Sequence, residues 1–265
     1  MSARHLVSDS LVMMQRNLAH VRQIPEKLLD VTLQPIMFVL LFAYVFGGVI
    51  AIPDGNYREY LLGGVLVQSL AFGIMGPAVS IATDLREGVV DRFRSLPMAR
   101  SAYLTGHVLA ELAALSISVI VLSLSGLIVG WGIHSSVPDA LAAYGLIFLF
   151  AFATLWLGTW LGVAIRSPDA AQGMVFLVVF PMTFLASTFV PIAGLSPVLR
   201  TIAEWNPISA LAAAVRTLFG NPVALPPDAA WPLQHCVAFS VAWSIFLIAV
   251  AMPMAIRRFK QRTTG

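Results

Sequence analysis

The sequence predicts an all-α polytopic membrane protein, and three observations carry that prediction. Hydrophobic residues make up 58% of the 265, charged residues only 11%, and the mean hydropathy is +0.85. A soluble chain carries roughly 25% charged residues to keep its surface hydrated. The apolar residues also fall in runs of about 20, the length at which ~1.5 Å per residue crosses a ~30 Å hydrocarbon core. Finally, those runs are solidly apolar and rich in Leu, Ala and Gly, whereas barrel strands alternate polar and apolar residues in ~10-residue pieces. The single cysteine, Cys236, excludes a disulfide framework and a cysteine-based metal cluster. A net charge of only +3, carried by basic residues between apolar runs, gives no footing for nucleic acid.

Taken in order, residues 1–30 open the chain with Val7, Leu11, Met14, Leu18 and Val21 at helical spacing, opposite Asp9, Arg16, Asn17, His20 and Arg22. That pattern predicts an amphipathic helix lying on the membrane surface, or else packed on soluble protein. The first long apolar run begins only at Val31, too far in for the apolar core of a cleavable signal peptide. Six spans are predicted, at 31–52, 60–83, 106–131, 140–165, 171–191 and 233–256. Pro181, inside the fifth, predicts a kink there. The segment 192–232 is too apolar for a plain loop. Ser196-Pro197 and Asn206-Pro207 both resemble helix starts, and each helical piece is too short to cross. A re-entrant or surface-lying helical hairpin between spans five and six is therefore expected, with Glu204 and Arg216 inside it needing partners or water.

Basic residues orient the chain. Arg4, Arg16, Arg22 and Lys27 precede the first span; Arg86, Arg92, Arg94 and Arg100 follow the second; Arg166 follows the fourth; Arg257, Arg258, Lys260 and Arg262 end the chain. The opposite side holds only Arg58, Arg200 and Arg216. By the positive-inside rule both termini are cytoplasmic, as an even number of spans requires.

The largest cytoplasmic loop, 84–104, carries the most polar pattern. Leu85, Val89, Phe93 and Leu96 share one helical face, while Arg86, Glu87, Asp91, Arg92 and Arg94 project elsewhere, and Pro97 stops the helix. A short amphipathic helix of this kind suits a groove on a cytoplasmic partner; the plainer reading is a solvated connector whose arginines only set topology. No catalytic chemistry is legible. A phosphate-binding loop needs Gly-Lys-Ser/Thr, and the two lysines follow Glu26 and Phe259. No His precedes a Glu, so a His-Glu-x-x-His zinc site is absent. No cofactor and no metal are expected. Glu111 is the one carboxylate well within a span, with His107 one turn before it. It is either a structural acid or the mark of an ion-coupled carrier.

The stretch Arg92-Phe93-Arg94-Ser95-Leu96-Pro97-Met98-Ala99-Arg100, then Thr183 to Pro191, then Glu204-Trp205-Asn206-Pro207-Ile208-Ser209-Ala210-Leu211, resembles the membrane subunit of type-two ABC exporters, most of all the daunorubicin-resistance permease branch. Arg216 to Gly220 is similar to that family's segment just past the Asn-Pro. The resemblance runs over almost the whole chain. It implies a non-catalytic permease in a bacterial inner membrane, paired with a second permease and driven by two cytoplasmic ATP-binding subunits. Glu87, Asp91, Arg92, Phe93, Arg94 and Leu96 would then couple to the ATPase. Hydrophobic or amphipathic drugs or lipids are the implied cargo, with Phe42, Phe72, Glu111, Phe180, Phe184 and Phe189 as candidates for the path and Glu204, Asn206, Pro207 and Arg216 marking the hairpin. The competing function is an ion-coupled multidrug carrier using Glu111.

Overall fold

The computed structural model describes residues 25–50, 52, 55–88, 100–165 and 167–264. Among them the secondary structure is helical throughout, without strands. The N-terminal amphipathic segment expected before residue 25 lies outside the described residues, as do Asp91, Arg92, Phe93, Arg94 and Leu96 of the coupling loop.

Helix α1 covers Pro25–Val45. The next apolar run folds as two helices, α2 (Tyr57–Phe72) and α3 (Met75–Arg86), meeting at Gly73–Ile74. The span expected over 60–83 lies within these two helices, which together form one stretch of crossing length. The break has a local cause: Pro77 has no N–H for the carbonyl of Gly73, and its ring crowds that carbonyl. Asp84, Leu85 and Arg86 complete α3, and Gly88 follows at φ 69°, so the amphipathic pattern read from Leu85 onward does not belong to one continuous helix.

Helix α4 (Arg100–Val129, 30 residues) starts six residues earlier than the run at 106 suggested, and ends at Gly130 with φ 102°. Helix α5 covers Val137–Ala164, capped by Ser136, whose hydroxyl accepts from the amide of Asp139. Helix α6 (Pro168–Phe184, 17 residues) is capped by Ser167 and runs unbroken through Pro181. It stops well short of the expected Pro191. A 3₁₀ turn at Ile192–Gly194 leads to α7 (Pro197–Trp205) and α8 (Pro207–Leu218), and a short α9 (Trp231–Gln234) precedes α10 (Cys236–Thr264). The basic tail after 256 forms the last two turns of α10.

Among the described residues, four stretches are long and apolar enough to cross a bilayer: Tyr57–Arg86 (α2 with α3), Ala102–Val129, Val137–Ala164 and Cys236–Arg262. The apolar parts of α1 and α6, Ile36–Val45 and Pro168–Phe184, are shorter. Their surfaces are inverted relative to a soluble protein. Ile128 is 85% exposed, Leu177 74% and Phe246 54%, as suits side chains that meet lipid rather than water.

Helix α5 is the hub, packing along α10 and against α3, α4 and α8. The α3 contact is close because Gly158 and Gly162, one turn apart on α5, admit it. A methyl group on Gly158 would strike the carbonyl of Ile74, and one on Gly162 would lie 2.8 Å from the carbonyls of Pro77 and Ala78. Small residues at this spacing let membrane helices approach backbone to backbone. Helix α1 packs on α4 and α2, and α6 sits at the edge of the bundle against α3.

Candidate translocation surface and the clamp at its end

Two arrangements position the functional candidates. The first is a row of phenylalanines. Phe42 of α1 stacks on Phe46 (5.2 Å between centroids) and on Phe189 (4.5 Å), and Phe189 meets Phe184 at 5.7 Å. Along α6, Phe184 then contacts Phe180 at 4.3 Å, Phe180 contacts Phe176 at 5.0 Å, and Phe176 reaches Phe72 of α2 at 6.4 Å. The spacing 176, 180, 184 places three rings on one helical face. Offset and tilted pairs at such distances are worth about 0.5–1.5 kcal/mol each beyond burial. Phe42, Phe72, Phe180, Phe184 and Phe189 thus all join one row, and Phe46 and Phe176 extend it. The α6 rings remain open, Phe180 at 39% and Phe184 at 52% exposed, and from Gly173 to Phe184 that helix carries no charge.

Glu111 is not in this row. Its carboxylate lies against Gly76 of α3, where a Cβ would come within 2.7 Å of its oxygen. His107, one turn before it, faces Asp84 instead, Nε2 to Oδ2 3.4 Å, and the Tyr103 hydroxyl donates to the same carboxylate oxygen at 2.6 Å. Asp84 therefore ties the end of α3 to the start of α4, the two helices that flank loop 84–104. Among the described residues no cluster of His, Cys, Asp and Glu is suited to a metal ion.

The second arrangement closes the opposite end. Arg216, in the last turn of α8, is 3% exposed, yet among the described residues no carboxylate pairs with it. Its guanidinium donates to main-chain carbonyls: Nε to Tyr60 (2.8 Å), and Nη2 to Ser187 (2.7 Å) and Thr188 (3.2 Å). A longer bond reaches the Ser187 hydroxyl, and the guanidinium carbon lies 3.6 Å from the centre of the Tyr60 ring. Stacking on an aromatic face while forking to several oxygens is what a planar guanidinium does and an ammonium cannot. The site needs room, and Gly63 and Gly64 give it. A Cβ on Gly63 would lie 2.7 Å from the Arg216 side chain, and one on Gly64 would strike the Thr188 carbonyl.

Asn206 works from the other end of α8. Its Oδ1 caps the helix by accepting from Ile208 N–H (2.9 Å), and its Nδ2 donates to the Met182 carbonyl (2.7 Å). Ser187 N–H donates to the Ser209 hydroxyl at 3.1 Å, and the Tyr60 hydroxyl to the Ser187 carbonyl at 2.8 Å. These bonds satisfy main-chain groups at and beyond the end of α6 that helix continuation would otherwise pair. They explain why α6 ends at Phe184 although its apolar composition continues.

Glu204, 6% exposed, accepts from Arg200 Nε at 2.7 Å and from Ala230 N–H at 3.1 Å, while Arg200 also donates to Asp228 at 2.7 Å. Arg200 holds the Asp228 carboxyl below its ordinary range. Glu204 and Arg216 are thus partnered separately and not with each other. A cavity of about 70 Å³ beside the clamp is lined by Tyr60, Ser187, Arg216, Thr217 and Cys236 among others.

Residues 9–220 match the ABC-2 type transporter family. The chain belongs to that family. This ABC-2 permease is 28% identical, over 97% of its own length and 87% of the relative's, to the daunorubicin resistance ABC transporter permease protein DrrB1 of Streptomyces coeruleorubidus. It is 22% identical to the doxorubicin resistance ABC transporter permease protein DrrB of Mycobacterium tuberculosis, over 84% of this chain and 79% of that one. A putative transport permease, ycf38 of Porphyra purpurea, is 20% identical over 82% and 75% of the two chains. The permease is accordingly a transmembrane subunit of an ABC transporter, similar to drug-resistance exporters. In the sequence Asn206 stands out as a helix start before Pro207 and Arg216 as a charge inside an apolar segment; their partners, main-chain carbonyls some 24 to 156 positions away, leave no mark on composition.

Proposed function

We propose that the chain is the non-catalytic permease of an ATP-driven exporter of hydrophobic or amphipathic drugs or lipids. It crosses a bacterial plasma membrane six times, with both termini cytoplasmic, residues 1–30 on the cytoplasmic leaflet, and 192–232 as the outer re-entrant hairpin. Two permeases pair, and two cytoplasmic ATP-binding subunits drive them through loop 84–104. The observation that carries this reading is the uncharged phenylalanine row on the open face of α6. An apolar path favours apolar cargo, and an apolar face of this size on a membrane helix suits a second subunit across it. The likeness to daunorubicin- and doxorubicin-resistance permeases supports the same class of substrate.

In this reading Phe93 and Leu96 anchor in the ATPase groove, while Glu87, Asp91, Arg92 and Arg94 set its rim. The Asp84 contacts with Tyr103 and His107 brace the helices on either side. The test is co-expression with a candidate ABC ATP-binding subunit and uptake of a lipophilic fluorescent cation into inverted membrane vesicles. ATP-dependent uptake that falls several-fold in Phe180→Ala/Phe184→Ala, at unchanged abundance, is expected. Uptake driven by a proton gradient without ATP and lost in Glu111→Gln would replace this reading with the ion-coupled carrier.

A further inference from the structure

The far end of α5 and α10 holds a second cavity, of about 260 Å³, lined by Trp160, Ala164, Met254, Arg257, Arg258 and Gln261. On α10, residues 254, 257, 258 and 261 fall on one helical face, and on α5, 160 and 164 are one turn apart. The wedge therefore has an apolar side, Trp160, Ala164 and Met254, and a polar mouth, Arg257, Arg258 and Gln261. The arginines of this tail are used unequally. Arg262 reaches back to the end of α5, donating to the carbonyls of Ala164 and Ile165 at 3.3 and 3.4 Å. Arg257 and Arg258 are exposed and carry no hydrogen bond or ion pair with any described residue.

Two free guanidiniums above a wedge with an indole on its wall have the chemistry of a phosphodiester site: donors for the non-bridging oxygens, and apolar surface for what the phosphate is esterified to. The geometry points to this wedge as a binding site for an acidic phospholipid of the cytoplasmic leaflet. The phosphate sits between Arg257 and Arg258, Gln261 meets the polar headgroup, and the acyl chains run along the exposed α10 face past Met254 and Val250 (42% and 40% exposed). Basic pockets between the ends of membrane helices are where anionic headgroups bind. A neutral lipid offers the same phosphate but adds a cationic choline, which the paired arginines repel. The site is thus selective by net charge. It rests on the orientation proposed above only for naming the leaflet.

The test is native mass spectrometry of the full detergent-purified chain, titrated separately with phosphatidylglycerol and phosphatidylcholine. Phosphatidylglycerol adducts should form at tenfold or more lower concentration than phosphatidylcholine adducts. Arg257→Gln/Arg258→Gln should abolish that preference. Arg86→Gln/Lys260→Gln, which removes equal charge away from the wedge, should keep it. Equal loss in both pairs would reduce the effect to general surface charge and overturn the site, as would the absence of any preference in the native chain. Release of the lipid by inorganic phosphate at matching concentration would assign the site to a free anion and overturn the lipid. Detergent carries no sidedness, so failure here is separable from failure of the topology, which thiol labelling of cysteines placed at the chain ends reads independently.

Discussion

Replacing Arg216 by Met keeps a long, flexible side chain but removes every donor. The carbonyls of Tyr60, Ser187 and Thr188 then lose the guanidinium, although Ser187 keeps the Tyr60 hydroxyl. Leaving one buried polar group unpaired costs about 1–3 kcal/mol, so the two without another side-chain donor cost about 2–6. Against this, the guanidinium no longer has to be desolvated, which returns part of that cost. A net loss of about 1–3 kcal/mol in holding α8 against the end of α6 is expected. The chain carries its own reporter. Cys236, its single cysteine, is 9% exposed and lines the same small cavity as Arg216. If the thiol reacts only when this end opens and recloses quickly, its labelling rate follows the open population. Since each 1.4 kcal/mol is tenfold, maleimide labelling of Cys236 in detergent should accelerate at least about fivefold in Arg216→Met. Arg216→Lys, which keeps the charge but not the fork, should also accelerate it. Wild-type labelling rates in both variants would refute the view that this arginine holds the segment closed.

Gly158→Val should cost several kcal/mol and lower the yield of folded protein in fluorescence-detected size-exclusion chromatography, because its side chain would meet the Ile74 carbonyl; Gly145→Val, where a Cβ meets nothing within 4 Å, should not. Phe93→Ala/Leu96→Ala should release the ATPase on membrane extraction while leaving permease abundance normal, since each buried anchor is worth roughly 1.5–3 kcal/mol; Arg92→Glu should do less, a rim pair contributing about 0–1 kcal/mol. The Asp228 carboxyl is depressed in the folded chain, so its contribution is present above its unfolded value and is lost as pH falls through the folded one. Cys236 labelling should therefore quicken in acid below the ordinary carboxylate range, measured with a thiol reagent active at low pH, and Asp228→Asn should flatten that dependence.

Hydrophobic runs made the long helices legible because lipid imposes a length and forbids charge over it. The ends of those helices were less legible, for reasons that differ by site. Span two looked uniform, yet Pro77 breaks the hydrogen-bond ladder, and a count of apolar residues is blind to a missing N–H. The fifth run continued to Pro191 by composition, but the backbone at 182–188 is claimed by Asn206, Ser209 and Arg216. Those partners lie 22 to 29 residues on, beyond any local window. The phenylalanines were visible singly; their stacking depends on α1, α2 and α6 meeting, which is a tertiary fact. The coupling residues from Asp91 to Leu96 rest on pattern and resemblance.

The acceptors of the Arg216 fork have a consequence for how its importance would be detected. Apart from the Ser187 hydroxyl and the Tyr60 ring, everything it binds is main chain, which every amino acid supplies. A substitution scan would therefore find intolerance at 216, whereas at 187 and 188 it would report the limits of two buried sites rather than their bond to the arginine. Double-mutant cycles between 216 and those positions would return coupling energies near zero. Paired sequence variation would not expose the contact either, because no change of side chain at 187 or 188 can compensate for a change at 216. A buried polar tie of this kind would look, by every pairwise measure, like a residue acting alone.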